Sequence, residues 1–508
     1  MDETAHGAGE LQRTCRARTR KKPRNHGRDE WPVGSPVACR LATRHHALVS
    51  TGPTLALALV VLGSLFGCGD DASTGIDAAL PDAGPRDAGP GADSDDRFPP
   101  PDAGPPADAG LAWPNAEHPA TSDPWIAEHH DDLVVMRPRI LALNFVNART
   151  NEQMLAHLGE LVDAIAEATR HRGYADADAQ PFLQYEISHA IDLRDDPPPA
   201  SWSLRNSTFY PREEPQEGAW SFDYEALFTE SFASLMGIED PADPGRALTL
   251  CELSERGLVH EVWVYGDADV PDVSAAEILA ITRRWEYDGT RRDDLPLERC
   301  AANGCFDGED EIPDTCQRTL RIGWVNNTRG VGCFLESLGH GYEGLAREST
   351  TPYFGRYFRE LGGFDLGSRF GLPFGSWYAC GYTGGGDCLS YASPTRVTWN
   401  VAGDTGTVDP YVAACGNAHF PPNGRNHYDI VNAAEVMSTC AGYRRGEAGG
   451  EDLAQPTSAA DWDGYRDLAP DCTGAWAVYW WQSFPGLGND ALDDDGAPMK
   501  NWWPFLFY

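Results

Sequence analysis

The chain has 508 residues, with 77 Asp and Glu against 40 Lys and Arg and a formal charge of −37. So acidic a surface repels phosphate backbones and anionic headgroups, which argues against nucleic acid as a partner and against docking on an anionic bilayer. The length suffices for one large elaborated domain or two.

Residues 1–46 are Arg-rich (RTRKKPRNHGR) and lack apolar periodicity; Lys21 and Lys22 lie here, and only Lys500 follows. This break predicts an overextended start, with translation beginning near Val37 or Val49. The competing reading is a basic arm for nucleic acid or anionic lipid. Leu55 to Cys68 (LALALVVLGSLFGC) is shorter than the roughly 20 apolar residues that span a bilayer and has the length of a secretory h-region. Leu65-Phe66-Gly67-Cys68 resembles the bacterial lipobox, departing from it at Phe66. Residues 47–67 are therefore expected to be a signal peptide. Cys68 is the expected lipidated residue, holding an exported protein to the outer membrane or cell surface.

From Gly69 the chain repeats DAGP at 82–85, 87–90 and 102–105. Such a tract has too little apolar surface to offset the entropy of ordering, so 68–112 is expected to be lipid anchor plus an extended, disordered tether. Beyond Cys68 come Cys251, Cys300, Cys305, Cys316, Cys333, Cys380, Cys388, Cys415, Cys440 and Cys472. An even number in an oxidising compartment predicts up to five disulfides, and without a CxxC pair structural zinc is the weaker reading.

Arg139 to Phe145 predicts a buried strand. Thr150 and Gln153 form a capping box ahead of a helix carrying Met154, Leu155, Leu158, Leu161, Val162 and Ile165, with Gly173 as its stop. Phe182 to Leu193 predicts a second strand. A helix around 246–256, a strand at Leu258 to Tyr265, and a helix behind the Ser274/Glu277 capping box follow. Leu320 to Val325 predicts a fourth strand, leading into a helix from Gly330 to Arg347. The alternation predicts an α/β domain over 113–349, a mostly parallel open sheet of Rossmann- or flavodoxin-like type with flanking helices. Residues 350–508 are expected to form a loop-rich, disulfide-braced region packed on it through Trp side chains.

The segments NNTRGVGCFLESLGHGYE, CGNAHFPPNGRNHYDIVN and MKNWWPFLFY resemble those of a group of exported bacterial proteins and lipoproteins without an assigned role. The resemblance covers most of 137–508 and implies that the three segments share one body. It implies no activity and no catalytic residues.

Three places could carry chemistry. In open α/β sheets ligands sit beyond the carboxyl ends of the strands. There the sequence places Asn147, Asp267, Asn326 and Arg329 as ligand-binding candidates, with the N–H groups of a helix start suited to a carboxylate or phosphate. Capping and turn roles are the alternative for each. Glu336, His340 and Glu343 share one helix face and could bind a divalent metal such as zinc, although a solvated polar face explains the same pattern. His419, His427 and Asp429 lie in a Pro-Pro loop as candidate catalytic groups or as a structural hydrogen-bonded loop. Proximity of His419 or His427 to His340 and Glu336 would favour the metal reading.

HExxH, GxSxG, the P-loop and a strand-borne GxGxxG are missing from the sequence. The expectation is an exported, lipid-anchored surface protein binding an extracellular small molecule, glycan or peptide, with exposed Trp as platform. A metal-dependent or His-assisted hydrolase and a structural or adhesion module of the envelope are the alternatives. Oligomeric state is not legible.

Overall fold

The computed structural model describes residues 110–194, 224–266, 316–346, 351–381, 386–446 and 450–508, with short backbone stretches between 212 and 305. The leader, Cys68, the tether as far as Ala109 and Asp267 lie outside the described residues; Leu111 and Ala112, expected at the disordered end of the tether, instead form with Trp113 a short strand parallel to Leu133–Met136.

The RILALN run forms strand β1 (Arg139–Asn144), buried from Ile140 onward. Helix α1 (Asn151–Ala168) then starts at the expected capping box, where Thr150 Oγ1 accepts from the Gln153 N–H and the Gln153 side chain accepts from Thr150 N–H. Strand β2 (Glu186–Asp192), helix α2 (Leu250–Glu255), and strands β3 (Glu261–Gly266), β4 (Ile278–Ile281) and β5 (Leu320–Asn326) follow. They build a sheet in the order β4-β5-β3-β1-β2, with β5, β3, β1 and β2 parallel.

One element departs from expectation. The residues behind Ser274 and Glu277 form β4, antiparallel to β5, with Ile278 opposite Gly323 and Ile281 opposite Leu320. Ile-Leu-Ala-Ile is a short run without a polar face, so pairing along the open edge of β5 wins over the local capping signal.

Alternation along the strands divides the sheet into two buried faces. Ile140, Ala142, Trp263, Tyr265 and Val325 face α1 and the C-terminal half of the chain, while Leu141, Leu143, Val262, Val264 and Ile322 face α2 and the helix at Glu230–Met236. Helix α3 (Val331–Leu345) leaves the end of β5 and packs on the first face through Phe334, Leu335, Leu338 and Tyr342.

The C-terminal region has more regular structure than its Gly, Pro and Cys content predicts. It contains helix α4 (Pro352–Leu361), an antiparallel sheet of β6 (Leu389–Ser393), β7 (Arg396–Val401) and β8 (Asp404–Val408), and helix α5 (Gly474–Gln482). Trp476, Trp480, Trp481, Trp502 and Trp503 join the core beneath the sheet, as the expected Trp packing requires. Trp377, Trp399 and Trp462 are buried too, so these three offer no exposed binding platform.

Helices α3 and α5 meet at their first turns through two glycines. A Cβ on Gly474 would stand 2.4 Å from Gly332 Cα, and one on Gly332 would stand 2.1 Å from the Asp471 carbonyl oxygen. Disulfides join Cys251 to Cys316, Cys333 to Cys472, Cys380 to Cys388 and Cys415 to Cys440. Cys300 and Cys305 are backbone partners on adjacent short strands. Among the described residues no helix is long and apolar enough to cross a membrane.

Candidate metal centre

Helix α3 carries Glu336, His340 and Glu343 at spacings of four and three, so they stack on one face. That face is not solvated: Glu336 and His340 are each 6 % exposed and Glu343 is 4 % exposed. The cover comes from residues 415–429, tied down at many points. Cys415 is disulfide-bonded to Cys440, and Gly416 N–H donates to the Leu361 carbonyl. Asn417 Oδ1 accepts from the N–H groups of His419 and Phe420, while its carbonyl accepts from Trp476 Nε1. Gly339 lets this loop come close, since a Cβ there would meet Trp480 at 3.1 Å and Ala418 at 3.3 Å.

The loop brings His419 onto the helix. His419 Nε2 lies 2.8 Å from Glu336 Oε1 and 3.0 Å from His340 Nε2, and the last two atoms are 3.1 Å apart. A fourth atom faces the same point. Tyr428 Oη is 2.9 Å from His419 Nε2 and 3.3 Å from Glu336 Oε1. Glu343 stands on the other side of the imidazole, with Oε2 accepting from His340 Nδ1 at 3.0 Å. Its remaining capacity is used by Tyr378 Oη and by the Ala418 N–H. Glu343 thus orients His340 and takes no place among the converging atoms, where the sequence had grouped it with the ligands.

Protons alone satisfy this triangle poorly. With both nitrogens protonated, two N–H groups crowd onto the one oxygen Glu336 Oε1 with their nitrogens only 3.0 Å apart; with His340 alone protonated, the His419 Nε2 lone pair opposes Glu336 Oε1. A cation at the centre meets all three donors at once. Ligands about 2.0–2.1 Å from a tetrahedral zinc stand about 3.3 Å from one another, close to the spacing here. Two imidazoles and a carboxylate are also a zinc donor set, and the His340–Glu343 contact is the outer carboxylate that fixes a metal-binding tautomer.

The electrostatics carry the same charge demand. Burial alone would lower His340, but its contacts with Glu336 and Glu343 outweigh that and raise it to about 10. Burial would raise Glu336, yet His340 and His419 hold it down at about 2. The pocket therefore holds ionised carboxylate and calls for positive charge, which a proton on His340 or a metal ion would supply. His427 Nδ1 lies 2.9 Å from His419 Nδ1. Burial, followed by the neighbouring His419, keeps His427 low at about 4.

The remaining candidates fall elsewhere. Asp429 forms an ion pair with Arg425, Oδ2 accepting from Nε at 2.6 Å and from the Arg425 N–H at 3.0 Å, which closes the loop rather than facing the histidines. Asn326 Oδ1 accepts from the N–H and hydroxyl of Thr328, a turn role. Asn147 and Arg329 are half-buried at the same end of the sheet. The anion expected at the start of α3 is provided by the chain: Asp471 accepts from the N–H groups of Gly330 at 2.7 Å and Gly332 at 2.8 Å. At a rise of about 1.5 Å per residue, His340 lies about 14 Å along the helix from Val331, so the triangle is away from the carboxyl ends of the strands.

Sequence reasoning passed over Tyr428, Tyr378 and Asp471. Tyr428 sits between two singled-out residues, and its backbone at φ 64° is in the left-handed region that tyrosine seldom adopts. Nothing in the local sequence signals this. No protein-family model matches the chain, and neither any curated protein nor any solved structure shows significant similarity to it.

Proposed function

We propose that this is an exported, lipid-anchored metalloprotein whose Glu336, His340 and His419 bind one divalent ion, zinc by donor type, at a hydrolytic centre. The observation that carries the reading is the mutual approach of three donor atoms, none more than 3.1 Å from another, from side chains up to 83 residues apart. Three protein ligands with one further position are the arrangement of catalytic rather than structural zinc. When bound, the ion would polarise a substrate carbonyl or phosphoryl group and acidify a water. Glu343 holds the His340 tautomer, the 415–429 loop fixes His419, and His427 supports the far nitrogen of that ring. His419 is then a ligand, not the general base of the sequence-based alternative.

Export and anchoring rest on the h-region and on Leu65-Phe66-Gly67-Cys68, and replacing Cys68 by Ala should release the protein from membranes. The small-molecule, glycan or peptide ligand becomes the substrate of the centre, and the Rossmann-like comparison is supported by the β2-β1-β3-β5 parallel order. The test of the metal reading is elemental analysis of the full-length protein purified without chelators. About one zinc per chain in the wild type, lost in His340→Ala and His419→Ala, is the expected result. A metal-free wild type that also fails to take up added zinc would overturn it, leaving His340 as a protonated residue between two carboxylates.

A further inference from the structure

Tyr428 touches the triangle through its phenol oxygen. The three nominated ligands are buried, Tyr428 is half-buried, and its Oη lies within 3.3 Å of two of the donor atoms. Two consecutive residues grip one imidazole: His427 reaches His419 Nδ1 and Tyr428 reaches His419 Nε2. The left-handed backbone of Tyr428 makes this possible, because it turns the chain so that the next residue, Asp429, points instead to Arg425. Tyr428 N–H donates to the His419 carbonyl at 3.0 Å, and the Arg425 carbonyl accepts from the N–H groups of Cys388 and Leu389. The surrounding structure thus over-determines a conformation that a tyrosine would otherwise avoid, and such outliers collect at functional sites.

We infer that in the resting protein the Tyr428 phenolate oxygen occupies the one further position left by the three ligands, and that substrate displaces it, an inference that rests on the metal reading above. The other ligands are buried, Glu336 and His340 on α3 and His419 in the loop tied through Cys415, Gly416 and Asn417. Of the four groups only Tyr428 is half-buried rather than buried, and the half-buried rings of His427 and Tyr378 stand beside the cluster. The phenol would give up its proton to solvent on binding and close the shell as phenolate; an arriving bidentate acid would take the metal–oxygen position and return its own proton to the phenolate, which leaves as neutral phenol.

Copper makes this visible. Nitrogen and oxygen sites bind Cu²⁺ more tightly than Zn²⁺, and a phenolate oxygen bound to Cu²⁺ gives a visible charge-transfer absorption that imidazole and carboxylate do not. The experiment loads the full-length protein with one equivalent of Cu²⁺ and records absorption and resonance Raman spectra. The expected result is a visible band with tyrosine ring modes. The band should be lost in Tyr428→Phe at unchanged copper stoichiometry, retained in Tyr378→Phe, and bleached by acetohydroxamate. A copper-loaded wild type lacking the band, or a band surviving in Tyr428→Phe, would overturn the assignment while leaving the metal site standing. Acetohydroxamate that binds without bleaching the band would overturn the displacement. If Tyr428→Phe does not fold, tyrosine ring modes in the wild type that persist in Tyr378→Phe still decide the assignment. A wild type that takes up no copper removes the metal reading and this inference with it.

Discussion

His419 Nε2 lies 2.8 Å from Glu336 Oε1 across 83 residues of sequence, and both side chains are buried. The contact joins the helix that follows β5 to the Cys415 loop, so the site exists only in the folded chain. His419→Ala should therefore abolish stoichiometric metal, a larger loss than any change among the outer partners. Glu343→Gln keeps the side-chain shape but weakens the hold on His340 Nδ1, and about a 10–100-fold drop in zinc affinity is expected from such a change. Competition with a chromophoric chelator measures both.

Asp471 caps α3 from 139 and 141 residues away, its two oxygens accepting from Gly332 and Gly330. Asp471→Ala should cost about 0.5–2 kcal/mol, the usual loss for a helix cap. Denaturant unfolding would show it as a lower midpoint. Metal affinity should change little, because the cap is about 14 Å along the helix from His340.

Gly332→Ala tests the close approach of α3 and α5. The added methyl meets the Asp471 carbonyl, which is backbone and cannot swing aside. A loss at or above the about 1–3 kcal/mol typical of overpacking is expected, read from the same unfolding curves. Gly464→Ala, where a Cβ meets nothing within 4 Å, is the control and should be near neutral.

Two buried histidines set an acid limit to stability. His260 donates from Nε2 to the Pro119 carbonyl and accepts from the Arg139 N–H, and burial, with Arg139 and Arg321 nearby, lowers it to about 3. His130 contacts the Asn501 carbonyl and the Tyr508 hydroxyl; burial first and then Lys500 lower it to about 4, against the opposing pull of Asp131. Both folded values lie below the unfolded value near 6.5, so above that pH neither group affects stability. Below it the unfolded chain binds protons that the folded chain refuses, and stability falls until about pH 4 for His130 and about pH 3 for His260. The slope should approach about 2.7 kcal/mol per pH unit for the pair. Denaturant midpoints between pH 7 and pH 4 test this; His171 and His427, which burial also lowers to about 4, add to the total slope, and His260→Gln should remove about 1.4 kcal/mol per pH unit from it.

The sequence made β1, α1, β3, β5 and α3 legible because each combines an apolar period with a cap or a turn. The strand β4 was hidden, since Ile-Leu-Ala-Ile fits both periods and only its neighbour on the sheet decides. The helix-face trio was visible as a pattern, but its burial was not, because the covering loop lies 75 or more residues away and has no periodicity. That distance is also why the helix pattern groups Glu336 and His340 with Glu343, while His419, 79 and 83 residues away from them, completes the triangle. Trp377, Trp399 and Trp462 could equally have been surface or core, and only their packing around the small sheet and α5 fixes them inside.

The most direct test of the metal centre is anomalous X-ray scattering from crystals of the zinc-loaded protein, recorded on either side of the zinc absorption edge. The account predicts one peak at about 2.0–2.2 Å from His340 Nε2, His419 Nε2 and Glu336 Oε1, present only above the edge. Ordered side chains in the arrangement described, with no anomalous peak between them at saturating zinc, would contradict it.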